Sequence, residues 1–290
     1  MNRRHFVQVA AVLPVWAADA KPMRLGLIVS AGRDPENAIR TVQELGLPTC
    51  QVAVGSFEPE LAGRLRGALD RYGVEATSVV AGGPGPEGYD FYQGPLTIGL
   101  VPRATREARI ARVRQTSDFA KKCGIPAVQT HCGFIPENPN DPVYKEAVDA
   151  VRQVAAYCRK NGQSFRCETG QETPVTLLRT IRDVGLDNVG VNFDPANLIM
   201  YGKADPVEAL DLLGPLVLGV HAKDGLYPVD PKNLGREVPI GQGKVDFPRF
   251  IWRLKGLGYR GPLTIEREVS GPKQIKDVRA AKAYLEKLVG

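Results

Sequence analysis

Glu168, Asp194, His221 and Glu266 each close a short apolar run that reads as a β-strand, in SFRCE, VGVNFD, LVLGVH and PLTIE. Three carboxylates and one imidazole make a hard, mostly oxygen donor set. Such a set suits one divalent ion, Mn²⁺ or Mg²⁺ first, with Co²⁺ or Zn²⁺ as alternatives. A metal there polarises a carbonyl, and a carboxylate beside it can move a proton. For His221 alone, a capped or core histidine is as good a reading as a ligand; three acids in matching positions decide for the ligand. Glu266 is preferred to Glu268 because the apolar run stops there, although strand alternation turns both acids one way and Arg267 the other.

Four strand ends meet only if the strands lie parallel in one closed sheet, where every C-terminal end opens on the same rim. The chain has the pattern for that. Short β-branched runs alternate with longer segments of helical period. Strands are expected at 24–29, 50–54, 74–80, 127–131, 164–168, 189–194, 217–221 and 263–266, which makes an α/β fold of the (β/α)8 barrel class. Helices are expected at 59–72, 104–123, 142–161, 174–184 and 272–288, several with proline in the first turn and some with glycine just past the end. The four candidate ligands lie 26, 27 and 45 residues apart, matching two βα units and a third that carries an insertion at 224–245. That insertion and the loop 81–102, with Tyr89, Phe91 and Tyr92, both follow strands on the ligand rim. They are expected to wall a small polar ligand.

Further candidates follow from position. His131 ends the fourth strand and should face the same rim, in a substrate or proton-transfer role or in a structural hydrogen bond. Lys223, two residues past His221, would bind a substrate oxygen or steady an enolate, unless a rim acid holds it in a salt bridge. Glu172 opens the loop after strand five as a substrate-binding candidate, with a cap for the following helix as its alternative. Trp252, near Phe250 and Leu254 on an expected helix, reads as packing rather than as a sugar platform.

Residues 1–20 read as a twin-arginine export signal: Arg3 and Arg4, an apolar run from Phe6 to Trp16, and the small-x-small site Ala18-Asp19-Ala20. The apolar run is too short for a permanent membrane anchor. Residues 21–290 are then one catalytic domain with a formal charge of +5, the whole chain's +6 less Arg3, Arg4 and Asp19, in a periplasmic or secreted location. A mild basic excess spread along the chain speaks for a solvated surface and against a nucleic-acid partner. Five cysteines without CxxC spacing read as buried free thiols.

At these residues the chain resembles the sugar phosphate isomerase/epimerase family, the xylose-isomerase-like TIM barrels that also include ketose 3-epimerases, inosose dehydratases and endonuclease IV. The matching pieces are Glu168-Thr169-Gly170-Gln171-Glu172, Asn192-Phe193-Asp194-Pro195-Ala196-Asn197, His221-Ala222-Lys223-Asp224 and Ile265-Glu266-Arg267-Glu268. The resemblance implies one divalent ion on Glu168, Asp194, His221 and Glu266, with Glu168 and Glu266 also moving protons. Where ketose 3-epimerases carry a substrate-holding histidine and arginine, this chain has Asn197 and Tyr227. Asn197 can still bind a sugar hydroxyl, and Arg236 is the residue expected to reach in from the loop. Endonuclease IV draws on several histidines, whereas residues 21–290 contain two, His131 and His221. The expected activity is a sugar isomerase or epimerase working through a metal-bound enediolate on a small carbohydrate. The alternatives are a lyase or dehydratase acting on a keto-sugar, 3-keto-glycoside or keto-inositol, and a sugar-binding barrel without turnover. Barrel enzymes of this type often form a homodimer.

Overall fold

A computed structural model describes residues 23–32 and 34–290, so the export signal expected at 1–20 lies outside the described residues. Eight parallel strands close a barrel: β1 (Leu25–Ser30), β2 (Thr49–Ala53), β3 (Glu75–Val80), β4 (Ala127–His131), β5 (Ser164–Glu168), β6 (Val189–Phe193), β7 (Val217–Ala222) and, after a small ribbon, β10 (Leu263–Ile265). Neighbours follow chain order around the barrel, and β1 closes it by pairing with both β2 and β10. The ribbon joins β8 (Asp224–Gly225) to β9 (Glu237–Val238) in antiparallel register inside the 224–245 insertion. The expected strands and helices fall within one or two residues of those observed, the usual uncertainty at element ends.

Alternation along the strands sorts the side chains into two environments. The outward set, among them Cys50, Val52, Val79, Val128, Phe165, Val191, Phe193 and Val220, is fully buried against the surrounding helices. Much of the inward set is polar: Gln51, Ser78, Gln129, Asn192, His221 and Thr264 are buried as well, while Ile28 and Val80 add apolar positions at the rim. All five cysteines are free and buried, as expected. Trp252 departs from expectation. Phe250 and Leu254 pack inward from helix Phe247–Gly256, but Trp252 lies between them on the opposite face and is 71% exposed. Among the described residues no helix is long and apolar enough to cross a membrane.

Asp-Pro pairs start the helices that matter for the rim. Proline is pre-set for the first turn, and the preceding acid accepts the N–H groups left free there. Asp141, Asp194 and Asp205 each cap a helix in this way. Two long loops rise above the barrel, each fastened by one buried charge. Arg109, 4% exposed, donates to Glu87 Oε1 at 2.5 Å and to the Thr97 carbonyl, which folds the loop 81–102 inward. The Asp224 carboxylate accepts from the backbone N–H groups of Gly225, Gly241, Gly243 and Val245 at 2.9 to 3.1 Å. No side chain fits at Gly243, where a Cβ would collide with that carboxylate.

Asp224→Ala should therefore strip protection from the amides of Gly241, Gly243 and Val245 in hydrogen exchange and lower stability by roughly 2–4 kcal/mol in urea unfolding. Retained protection at those three amides would show that the loop is held by something else.

Candidate metal centre

The barrel brings the four strand-end residues to one point. Glu168 ends β5, Asp194 follows β6, His221 lies near the end of β7 and Glu266 follows β10. One ligand atom from each lies within 4.8 Å of the others. His221 Nδ1 is 2.9 Å from Glu266 Oε2, 3.2 Å from Glu168 Oε1 and 3.6 Å from Asp194 Oδ2. Glu168, Asp194 and His221 are buried, and Glu266 is the most open of the four. Asp194 Oδ2, His221 Nδ1 and Glu266 Oε2 have no hydrogen-bond partner among the described residues. Buried polar atoms are nearly always satisfied, and three orphans facing one point fit a cation as their common partner. The donor set suits one divalent ion.

The interior network orients the imidazole. His221 Nε2 lies 2.6 Å from Gln51 Oε1, an acceptor, so Nε2 carries the proton and Nδ1 is left for the acids or an ion. Gln129 Nε2 also donates to Gln51 Oε1, Gln51 Nε2 donates to Asn192 Oδ1, and Ser78 donates to Gln129 Oε1. The Asp194 backbone is clasped by Thr169, whose hydroxyl accepts from its N–H at 2.8 Å and donates to its carbonyl at 2.9 Å. Asp194 Oδ1 caps the helix Pro195–Met200 through the Asn197 N–H, which leaves Oδ2 turned to the cluster. Gln51, Gln129 and Thr169 went unrecognised in the sequence. The available signal was a polar residue inside an apolar strand run, in TCQVA and AVQTH.

Electrostatics bind a proton where the ion would sit. Burial works against a charged His221, but Glu168 and Glu266 outweigh it and hold the imidazole well above its ordinary range. Burial alone would raise both glutamates. His131 and His221 pull Glu168 below its ordinary value, and Lys223 with His221 pulls Glu266 far below the usual carboxylate range. Asp194 is raised by burial, with Lys223 opposing.

Above the cluster opens a cavity of about 480 Å³. His131, Asn197 and Lys223 line it, as expected. His131 Nε2 is 3.5 Å from Glu168 Oε1, and Gln171 Nε2 is 3.3 Å from His131 Nδ1. Asn197 Nδ2 lies 3.4 Å from Glu168 Oε1, and Lys223 Nζ contacts Glu268 Oε1. Lys223 thus faces the cavity and also pairs with a rim acid.

Two expected substrate contacts are elsewhere. Arg236 is exposed and does not line the cavity, because its neighbour in the ribbon, Glu237, takes the inward position. Glu172 is buried but also outside the lining; desolvation pushes its carboxyl up to about 8. Glu87, Tyr89, Tyr201 and Glu268 join the walls instead.

The family model for xylose isomerase-like TIM barrels matches residues 39–288. The chain belongs to the xylose isomerase-like TIM barrel family. A xylose isomerase domain protein from Planctomyces limnophilus is 36% identical with a TM-score of 0.84, over 93% of this chain and 98% of that one. A xylose isomerase-like TIM barrel protein from Mycobacterium smegmatis, solved in complex with magnesium, shares the fold at 21% identity and a TM-score of 0.66, over 88% of this chain and 87% of that one. Among curated proteins, the L-ribulose-5-phosphate 3-epimerase UlaE of Salmonella paratyphi B is 28% identical over 186 residues, 58% of this chain and 59% of that protein. This xylose isomerase-like barrel spans between about half and two thirds of the length of the curated relatives it matches. The family includes sugar epimerases, and the acid-histidine cluster sits where a metal fits.

Since a divalent ion on Nδ1 must displace the proton that the acids hold on His221, ion uptake should release a proton. Mn²⁺ affinity is expected to rise with pH, by up to about tenfold per unit below the apoprotein's His221 pKa. Calorimetric titrations at several pH values in buffers of different ionisation enthalpy measure this, and an affinity independent of pH would contradict it.

Proposed function

We propose that this protein is a divalent-metal-dependent epimerase or isomerase of an uncharged sugar, exported to the periplasm or beyond by the signal at 1–20. The observation that carries the activity is the convergence of Glu168, Asp194, His221 and Glu266, three of them with an orphaned buried ligand atom, beneath a cavity of sugar-accepting size that Glu168, His221 and Glu266 line. An ion bound there would polarise a sugar carbonyl and stabilise the charge that develops as the adjacent carbon loses its proton.

Glu168 and Glu266 both line the cavity, and each has a second oxygen available to take or return a proton. Epimerisation needs removal on one face and delivery on the other, which suits two acids on separate strands; isomerisation needs a single shuttle. Asn197 and His131 lie beside Glu168 and would hold hydroxyls of the bound sugar.

The wall charges argue for an uncharged substrate. Glu87, Glu168, Glu237, Glu266 and Glu268 line the cavity, whereas Lys223 is its lysine or arginine among the described residues. The wall acids Glu87, Glu237 and Glu268 are each already paired with a cation, Arg109, Arg267 and Lys223, and among the described residues no guanidinium lines the cavity to receive a phosphate dianion. The phosphate in the Salmonella relative's name is therefore not carried over.

A second reading keeps the same proton removal and follows it with loss of a β-substituent. His131 favours it by placing an imidazole beside Glu168 as an acid for the leaving group.

Incubation with Mg²⁺ in D₂O against free ketoses, 3-keto-glycosides and keto-inositols, followed by NMR, separates these readings. The expected result is solvent deuterium in an intact sugar, lost by about 10²–10⁴-fold in Glu168→Gln and Glu266→Gln. An unsaturated product with a released aglycone or water would replace it with the elimination reading. Absence of exchange and of elimination with the ion bound would leave a sugar-binding barrel.

A further inference from the structure

We infer that Lys223 is the charge-balancing residue of the metal centre, a positioning cation that sets the ionic charge the site accepts. The inference rests on the metal-dependent reading above. Lys223 Nζ lies 3.6 Å from Glu266 Oε2, 3.9 Å from Asp194 Oδ2 and 3.4 Å from Asn197 Oδ1, and it contacts Glu268 Oε1. Its side chain is 3% exposed while that of Glu268 is 57% exposed. An ordinary surface ion pair leaves both partners in water. Here the ammonium is withdrawn from solvent and set over two carboxylates of the ligand set, and the water-facing acid touches it only from outside.

The charge count gives that placement its meaning. Glu168, Asp194 and Glu266 bring three negative charges, so a divalent ion leaves one uncompensated in a buried site. Lys223 cancels it. Arg267, the nearest guanidinium in sequence to Glu266, is engaged by Glu237 at 2.8 Å and Asp277 at 2.9 Å and does not line the cavity. A cation about 4 Å from two ligand oxygens must also repel an incoming ion, in proportion to that ion's charge. Removing it should therefore tighten the site for a divalent ion and tighten it more for a trivalent one. A lysine that merely fastened the rim through Glu268 would give no such dependence on ionic charge.

The test is calorimetric titration of metal-free protein with Mn²⁺ and with Tb³⁺, on wild type, Lys223→Met, Lys223→Gln and Lys223→Arg, each checked for folding by circular dichroism and melting. The expected result is Mn²⁺ binding about tenfold tighter in either neutral variant, a larger gain for Tb³⁺, and near wild-type affinities in Lys223→Arg. Folded neutral variants whose affinities are unchanged or weaker, or which gain equally for both ions, would overturn the inference. Wild-type protein that takes up no Mn²⁺ would instead remove the metal-dependent reading itself, and this inference with it.

Discussion

The rim of this barrel depends on one hydrogen bond inside it, from His221 Nε2 to Gln51 Oε1. A buried imidazole has two nitrogens and can satisfy only one against the barrel interior. Because Gln51 offers an acceptor, the other nitrogen must face the three acids. Gln51 is in turn kept from rotating by Gln129 and Asn192, with Ser78 behind Gln129. Gln51, Ser78 and Gln129, on strands that carry none of the ligands, thus help decide how a ligand points. The amides of Gln51 and Gln129 and the hydroxyl of Ser78 hold one another in a connected set, which is what buried polar groups need.

Much of the fold was legible because its signals are local. A β-branched run says strand, an Asp-Pro pair says helix start, and a closed parallel sheet then forces the strand ends together. Strand alternation also foretold that Glu266 and Glu268 would face the same way, as they do in the cavity wall. What stayed hidden depends on register and phase across elements far apart in sequence. A glutamine in the middle of TCQVA does not say that its partner is a histidine 170 residues on. Arg236 stands one position before the two-residue strand that Glu237 opens, and the pairing of that strand with Asp224 and Gly225 goes with Glu237, not Arg236, facing the cavity. Trp252 was legible after all: two residues from both Phe250 and Leu254, it belongs on the helix face opposite theirs.

Charge at this site is settled by competition rather than by residue type. Burial disfavours every ion in the cluster, yet Glu168 and Glu266 stay ionised because His131, His221 and Lys223 supply opposing fields. The same acids that hold a proton on His221 are the ones an ion would claim. A proton and a bound cation would therefore compete for one place, and Glu168 and Glu266 carry their charge into the cavity wall as well.

Asp194 has two oxygens with two duties. Oδ2 faces the cluster, while Oδ1 caps the helix Pro195–Met200, whose last residue accepts the Gly235 N–H at 2.8 Å from the loop above. Gly235 admits no side chain there, since a Cβ would collide with the Leu226 carbonyl oxygen. Floor, wall and roof are joined in series through one carboxylate. Asp194 thus gives the roof a second anchor besides Asp224, one that reaches the loop from below through the helix Pro195–Met200.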